Sequence, residues 1–198
     1  LNSAHYDWPS VSDVYNYRQQ VKTLVLEQID VLPLTVPIQW QDPFWVILMG
    51  IEHERIHLET SSVLIRQLDL QYIQPNDDWP RCQDFSSAPD NQLITVPEGL
   101  VKQGRNQPSH TYGWDNEYGH HSTQVHEFKA ARFLVSNQEF LAFVEAGGYK
   151  DAAYWCEEGW QWRQYMGVQH PVFWRHDGDQ WLYRSLTEEF PMPWNWPV

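Results

Sequence analysis

The sequence lacks the features of disulfide-bonded and membrane-spanning proteins. Its 198 residues include only two cysteines, Cys82 and Cys156, and these form no CxxC pair. Two isolated cysteines favour free thiols, so we expect a chain that resides in the reducing cytoplasm. No run of about 18 apolar residues occurs, and we therefore expect no transmembrane helix.

Basic side chains are also scarce. The chain has 13 Lys and Arg residues against 26 Asp and Glu residues, which gives a formal net charge of −13. Contact with phosphates requires clustered cations, and the sequence contains no such cluster. We therefore expect no nucleic-acid partner and no anionic membrane partner.

Tryptophan, by contrast, is abundant, with 12 residues. Our interpretation is that these side chains hold together a loop-rich domain, although a ligand-stacking surface is the alternative. The chain begins with Leu1 rather than Met and stops at Val198 without a closing element. We therefore expect an internal fragment of a longer protein.

The first third of the chain has the signals of two helices. Ser10 and Asp13 form a capping pair ahead of apolar residues at helical spacing, and Pro33 must end that helix. A second helix is predicted from Asp42 as cap and Pro43 as first helical residue to about Leu68. Its length of roughly 25 residues suits a helical bundle.

The rest of the chain lacks the helical periodicity of the first third. Residues 74–92 are rich in Pro, Asp, Asn and Ser and predict a linker or wrapping loop. Short apolar runs separated by Gly and Pro occur at 93–96, 99–101 and 124–128, and Ser136–Glu145 predicts a helix ended by two glycines. We expect the Trp-rich remainder to be mostly irregular.

The candidate metal-binding residues lie on the second predicted helix. His53 and His57 are four residues apart, so they share a helix face and can direct two imidazoles at one metal ion. The apolar residues on that face predict that both rings point toward a bundle core. Glu52 and Glu59 are near enough in sequence to bond the second nitrogen of a ligand. The alternative is two core histidines satisfied by these carboxylates.

The nature of the metal stays open from these residues alone. His53 to His57 matches the HExxH pattern of zinc peptidases, in which Glu54 would be the general base and a distant residue such as Glu98 the third ligand. A three-histidine site with open positions suits non-haem iron(II) and oxygen chemistry instead.

The chain resembles the iron-dependent sulfoxide synthases of ergothioneine and ovothiol biosynthesis. The helix motif His53-x3-His57-x-Glu59 is similar to their DinB-like domain. Segments of the second half resemble their formylglycine-generating-enzyme-like (sulfatase-modifying-factor) domain: Val96-Pro97-Glu98-Gly99, Tyr112 to Glu117, Val135 to Phe140, Gly147-Gly148-Tyr149, Trp155, Glu158-Gly159-Trp160 and Pro171 to Trp174.

This resemblance implies a multidomain protein of α and α/β class. Part of a DinB-like four-helix bundle would occupy residues 1–74, followed by a linker at 75–92. The N-terminal part of a formylglycine-generating-enzyme-like, C-type-lectin-like mixed domain would occupy 93–198.

Within this family the helix is most similar to the ovothiol branch, whose product is 5-histidylcysteine sulfoxide. The ergothioneine branch usually has glutamine directly before the second histidine, where Ile56 stands here, and arginines ahead of the preceding helix, where this chain has Tyr6-Asp7-Trp8-Pro9. Both differences favour free cysteine and free histidine as substrates, together with O2. An ergothioneine-type synthase acting on hercynine is the alternative.

The resemblance also implies roles for individual residues. His53 and His57 would be two of three Fe(II) ligands, the third coming from an earlier helix, and Glu59 would orient a ligand. Trp114, Asp115 and Asn116 are candidate substrate-binding residues, although a structural turn explains them equally. Catalytic residues are expected outside this chain, which would then be inactive by itself. A zinc peptidase and a non-catalytic Trp-rich binding module remain the competing hypotheses.

Overall fold

The computed structural model describes residues 6–106 and 110–198. The helices within these ranges are α1 (Val11–Val31), α2 (Pro43–Arg66), α3 (Asn137–Glu145) and α4 (Glu157–Met166). The strands there are β1 (Leu93–Val96), β2 (Gly99–Arg105), β3 (Gly119–Val125), β4 (Phe128–Ala131), β5 (Trp174–Asp177), β6 (Gln180–Arg184) and β7 (Glu189–Pro191). The chain divides into one compact unit of Leu1–His57 and Val101–Thr123, and another of Leu58–Leu100 and Gln124–Val198.

Helix α1 begins where its capping pair predicts. The Ser10 hydroxyl accepts a hydrogen bond from the Asp13 amide at 3.1 Å, and the Asp13 carboxylate accepts one from the Ser10 amide at 3.3 Å. These bonds satisfy amides at the helix start that have no partner within the helix. The predicted first helix is thus confirmed, and it ends at Val31, ahead of Pro33.

Helix α2 is the long helix that the sequence predicts. It starts at Pro43, whose missing N–H costs nothing in the first turn, and runs for 24 residues, or about 36 Å. The Asp42 carboxylate accepts a hydrogen bond from the backbone amide of Gln39 at 2.7 Å. It therefore fixes the turn that precedes the helix.

Within the first unit, α1 and α2 flank an apolar cleft of about 380 Å³. Its lining includes Leu24 and Leu32 of the α1 side and Val46 and Ile47 of α2. Neither helix contains a buried residue. The predicted burial of the histidine face is therefore wrong for the part of the chain that the structure describes, since no described residue covers His53 and His57 enough to bury them.

The second unit has a small aromatic core. Trp174, Phe190 and Met192 are buried there, and Asn137 has no exposed surface. The Trp174 indole donates to the Asn137 side-chain oxygen at 3.1 Å, and the Asn137 amide group donates to the Pro193 carbonyl at 2.9 Å. Trp181 and Trp194 pack edge-on against Trp174, as expected for tryptophans that hold a loop-rich domain together.

The strands of the described residues form three small sheets. Strand β1 pairs antiparallel with β4, β2 pairs with β3, and β5, β6 and β7 form a three-stranded antiparallel sheet. The expectation of a mostly irregular C-terminal part is wrong, because α4 and the three-stranded sheet lie there. The short apolar run at 124–128 spans the end of β3 at Val125 and the start of β4 at Phe128.

Helix α3 follows its sequence signal, with Ser136 as its N-cap. In the described ranges, no helix combines the length and the apolar character needed to cross a bilayer. The DinB-like bundle and the domain boundaries at residues 74 and 92 stay predictions.

Candidate active site

The two candidate ligands lie side by side on α2. The ring centroids of His53 and His57 are 4.5 Å apart, and their ring planes are almost perpendicular at 87°. This is the neighbourhood expected of residues one helical turn apart. Both side chains are exposed. The two rings are therefore close together although neither is buried. Their proximity is the observation that supports a metal site here.

The two histidines provide part of the donor set that iron(II) needs. Two neighbouring imidazoles are of the ligand type that non-haem iron takes, so His53 and His57 fit as two ligands. Across residues 6–106 and 110–198, no group of three or more His, Cys, Asp or Glu side chains is arranged to hold a metal ion. A complete site therefore needs a further ligand that the described residues do not supply.

The acidic neighbours of the pair have different surroundings. Glu54 and Glu59 are exposed on α2, and the backbone carbonyl of Glu59 accepts a hydrogen bond from the Ser62 hydroxyl at 2.6 Å. The Glu52 carboxylate, directly before His53, accepts a hydrogen bond from the Trp114 indole at 2.5 Å. The ligand-orienting role of Glu59 stays a prediction.

Arg105 organises the segment that holds the candidate substrate residues. Its guanidinium donates to the backbone carbonyl of Tyr112 and forms an ion pair with Glu117 at 3.3 Å. The other carboxylate oxygen of Glu117 accepts from the Trp114 amide at 2.7 Å. Residues Asp115–Glu117 form a single 3-10 turn. We call residues 112–117 the Trp114 loop.

Gly113 is the residue that lets this loop form. A Cβ atom added there would lie 2.0 Å from a terminal nitrogen of Arg105, so a larger residue would displace the guanidinium from the Tyr112 carbonyl. Gly113 is buried, and its carbonyl accepts a hydrogen bond from the Trp45 indole at 3.0 Å. The loop is thereby attached to α2.

The three candidate substrate residues differ in accessibility. Trp114 is half-buried through its contact with Glu52, whereas Asp115 and Asn116 are exposed. Asp115 also lines an open cleft of about 330 Å³ together with Trp40, Gln41 and Tyr118. The structure thus brings Trp114 onto the helix that bears the histidines and leaves Asp115 and Asn116 accessible to a ligand.

The pKa of Tyr112 is shifted by its surroundings. Desolvation raises the pKa of its hydroxyl, and the negative charges of Glu52 and Glu117 raise it further. The ring also packs against Trp45, with centroids 5.8 Å apart. Tyr112 therefore remains a neutral phenol at physiological pH and serves as part of the loop's apolar support.

Sequence reasoning missed several residues that build this site. Trp45, Arg105 and the Glu52–Trp114 pair were not predicted to meet, because their partners lie far away in sequence: 68 residues separate Trp45 from Gly113, and 62 separate Glu52 from Trp114. No local spacing encodes such contacts. The only signal was the family resemblance of residues 112–117.

Comparison with known proteins identifies the family. The family model of the sulfatase-modifying factor enzyme 1-like domain matches residues 81–195, and the chain belongs to this family. This finding confirms the formylglycine-generating-enzyme-like part of the sequence prediction.

Individual relatives extend the similarity beyond that domain. A hercynine oxygenase of Mycolicibacterium smegmatis is 29% identical over 179 residues, which are 89% of this chain and 40% of that protein. A hercynine oxygenase of Mycobacterium tuberculosis is 38% identical over 77 residues, 39% of this chain and 18% of that protein. Ergothioneine biosynthesis protein 1 of Neurospora crassa is 26% identical over 149 residues, 70% and 17% of the two chains. The chain thus spans at most two fifths of these relatives.

Proposed function

We propose that this chain is part of an iron(II)- and O2-dependent sulfoxide synthase. Such an enzyme joins the sulfur of a cysteine-type thiol to a carbon of an imidazole ring and oxidises that sulfur to the sulfoxide. The observation that carries the proposal is the adjacent His53–His57 pair on α2, found in a chain whose relatives include hercynine oxygenases.

Hercynine is the imidazole substrate that the relatives favour. Two of them are named hercynine oxygenase, and a third is an ergothioneine biosynthesis protein. Histidine is the second candidate, with cysteine as thiol and 5-histidylcysteine sulfoxide as product. Ile56 supports it, because the ergothioneine branch of the sulfoxide synthases usually has glutamine at this position.

The residues of this chain have three tasks under the proposal. His53 and His57 would hold iron(II), which when bound supplies a binding position for the thiolate and for O2. Glu59 would orient a ligand ring from the same helix. Asp115 and Asn116, exposed on the Trp114 loop, would contact polar groups of the amino-acid substrates. The small-molecule partners are thus a cysteine thiol, hercynine or histidine, and O2.

Metal analysis separates this proposal from its competitors. The chain is purified without oxygen, titrated with Fe(II) and Zn(II), and compared with the variants His53→Ala, His57→Ala and Glu54→Gln. We expect measurable but weak Fe(II) binding, which becomes at least tenfold weaker in either histidine variant and does not change in Glu54→Gln. Tight zinc with peptidase activity that requires Glu54 would instead identify a zinc peptidase. Metal binding indifferent to both histidines would contradict the proposal and favour a binding module.

The imidazole substrate is determined by direct competition. A longer polypeptide that contains this chain and supplies the missing ligand is given equal amounts of hercynine and histidine, with cysteine and O2, and the sulfoxide products are separated by mass. A hercynine product supports the ergothioneine-type reaction. A histidine product supports the ovothiol-type reaction. No sulfoxide from either substrate, with iron bound, contradicts the proposed chemistry. An Ile56→Gln variant tests whether this position shifts the preference toward hercynine.

A further inference from the structure

Two indole hydrogen bonds join the Trp114 loop to α2 in opposite directions. Trp45 of α2 donates to the carbonyl of Gly113 in the loop at 3.0 Å, and Trp114 of the loop donates to the carboxylate of Glu52 on α2. Trp45 and Glu52 are seven residues apart, so they share one helix face two turns apart. The two bonds therefore span about 10 Å along the helix.

Hydrogen bonds and an ion pair within the loop connect Trp114 to the rest of its backbone. Arg105 binds the Tyr112 carbonyl and the Glu117 carboxylate, and Glu117 in turn binds the Trp114 amide. Tyr112 packs against Trp45 beside the first indole bond. Fixing Trp114 on Glu52 consequently fixes the backbone of the whole loop.

We propose that Glu52 and Trp114 are positioning residues that hold the Trp114 loop against the turn of α2 that bears His53. Glu52 directly precedes His53, and Trp114 directly precedes Asp115 and Asn116. One charge-assisted hydrogen bond joins the side chains of Glu52 and Trp114. It therefore links the residue before a candidate metal ligand to the residue before the two exposed candidate substrate residues. The catalytic meaning of this link rests on the proposed function, whereas the link itself does not.

Hydrogen exchange tests the link without any metal or substrate. Three amides of the loop region are hydrogen-bonded: Trp114 to the Glu117 carboxylate, Glu117 to the Trp114 carbonyl, and Tyr118 to the Asp115 carbonyl. In Glu52→Ala and Trp114→Phe, we expect their exchange to accelerate at least tenfold, because the loop loses its tie to α2. Glu52→Gln keeps an acceptor oxygen and restores most of the protection. Glu54→Ala, two residues along the same helix, is the matched control and stays at the wild-type rate.

Unchanged exchange in Glu52→Ala and Trp114→Phe would overturn the proposal. Equal acceleration in Glu52→Gln and Glu52→Ala would also overturn it, because a positioning hydrogen bond must be rescued by a residue that can still accept it. Far-UV circular dichroism of each variant checks that α2 is intact.

Metal titration of the same variants separates this inference from the proposed function. We expect Glu52→Ala to weaken Co(II) binding at the histidine pair about threefold to tenfold, with recovery in Glu52→Gln and a parallel change in the visible Co(II) spectrum. A wild-type chain that binds no metal would contradict the proposed function, and the exchange rates would still decide the positioning role. Metal affinity equal in the wild type and Glu52→Ala would confine the link to the loop and overturn its extension to the histidines.

Discussion

Arg184 is a cation held in the interior of the second unit. It is 2% exposed, and its guanidinium donates to the carbonyls of Leu68 at 2.9 Å, Ser185 at 2.5 Å and Leu186 at 3.1 Å. Its own carbonyl accepts two hydrogen bonds from Arg66, whose guanidinium lies 3.6 Å from the centroid of the Phe173 ring. Burial lowers the pKa of Arg184, and the three carbonyls together with the nearby negative charge of Glu189 offset part of this desolvation.

Replacing Arg184 by lysine tests this role. We expect Arg184→Lys to lower the free energy of unfolding by about 3 kcal/mol, because a single ammonium cannot reach three carbonyls that the guanidinium satisfies together. Urea unfolding followed by tryptophan fluorescence measures the change. Arg175→Lys is the control, since its ion pair with Glu189 is largely exposed and contributes less than about 1 kcal/mol. Equal losses in the two variants would contradict the role of the buried carbonyls.

At the scale of elements, α3 depends on a reciprocal cap. The Ser136 hydroxyl accepts from the Glu139 amide at 3.2 Å, and the Glu139 carboxylate accepts from the Ser136 amide at 2.8 Å. The Ser136 hydroxyl also donates to the Glu139 carboxylate at 2.9 Å. The bond from the Ser136 amide first, and the bond from its hydroxyl second, hold the pKa of Glu139 below its ordinary value of 4.5. The cap is therefore strongest when Glu139 is ionised.

The sign of the pH dependence follows from the lowered pKa. Stability from the ionised cap is complete above the ordinary pKa and is lost as pH falls through the lower pKa of the folded state. We expect the difference in unfolding free energy between the wild type and Glu139→Gln to be constant near neutral pH and to shrink in acid. Urea titrations of both proteins from about pH 7 to about pH 3 measure it. A difference that grows in acid would refute the cap's ionised form.

The sequence predicts the helices whose start signals are local. It does not predict the elements whose local signals lie among aromatic or glycine residues. Helices α1, α2 and α3 each begin at a Ser cap or a Pro that can be recognised within four residues. The β5–β6 hairpin turns at Gly178-Asp179, and the positive φ of 57° at Gly178 makes this two-residue loop a local hairpin signal. Helix α4 was missed because Gly159 interrupts its pattern, although Gly167 ends it with a positive φ of 65°.

In the candidate site, too, the sequence predicts what depends on local spacing and not what depends on distant contacts. The His53–His57 proximity follows from helical spacing alone, so it was predictable and is confirmed. Burial of the two rings depends on what packs over α2, and here the prediction is wrong for the described residues. The attachment of the Trp114 loop to Glu52 joins residues remote in sequence and needs the folded chain.

At the scale of the whole molecule, family membership and catalytic completeness are separate properties. The match to the sulfatase-modifying factor enzyme 1-like domain covers residues 81–195, whereas the histidine pair lies ahead of that range on α2. The relatives are at least about two and a half times as long as the aligned region. The proposed iron chemistry therefore requires residues outside the matched domain.

The 198-residue chain by itself is expected to form no sulfoxide. Iron(II) held by only two imidazoles is weakly bound, and residues 6–106 and 110–198 supply no third neighbouring donor. The chain is loaded with Fe(II) without oxygen, then given O2, cysteine and either hercynine or histidine, and products are quantified by mass spectrometry against a His53→Ala/His57→Ala double variant. We expect both proteins to give the same background. Sulfoxide formed by the wild type and lost in the double variant would refute this prediction and would mean that two histidines of α2 suffice to hold a reactive iron.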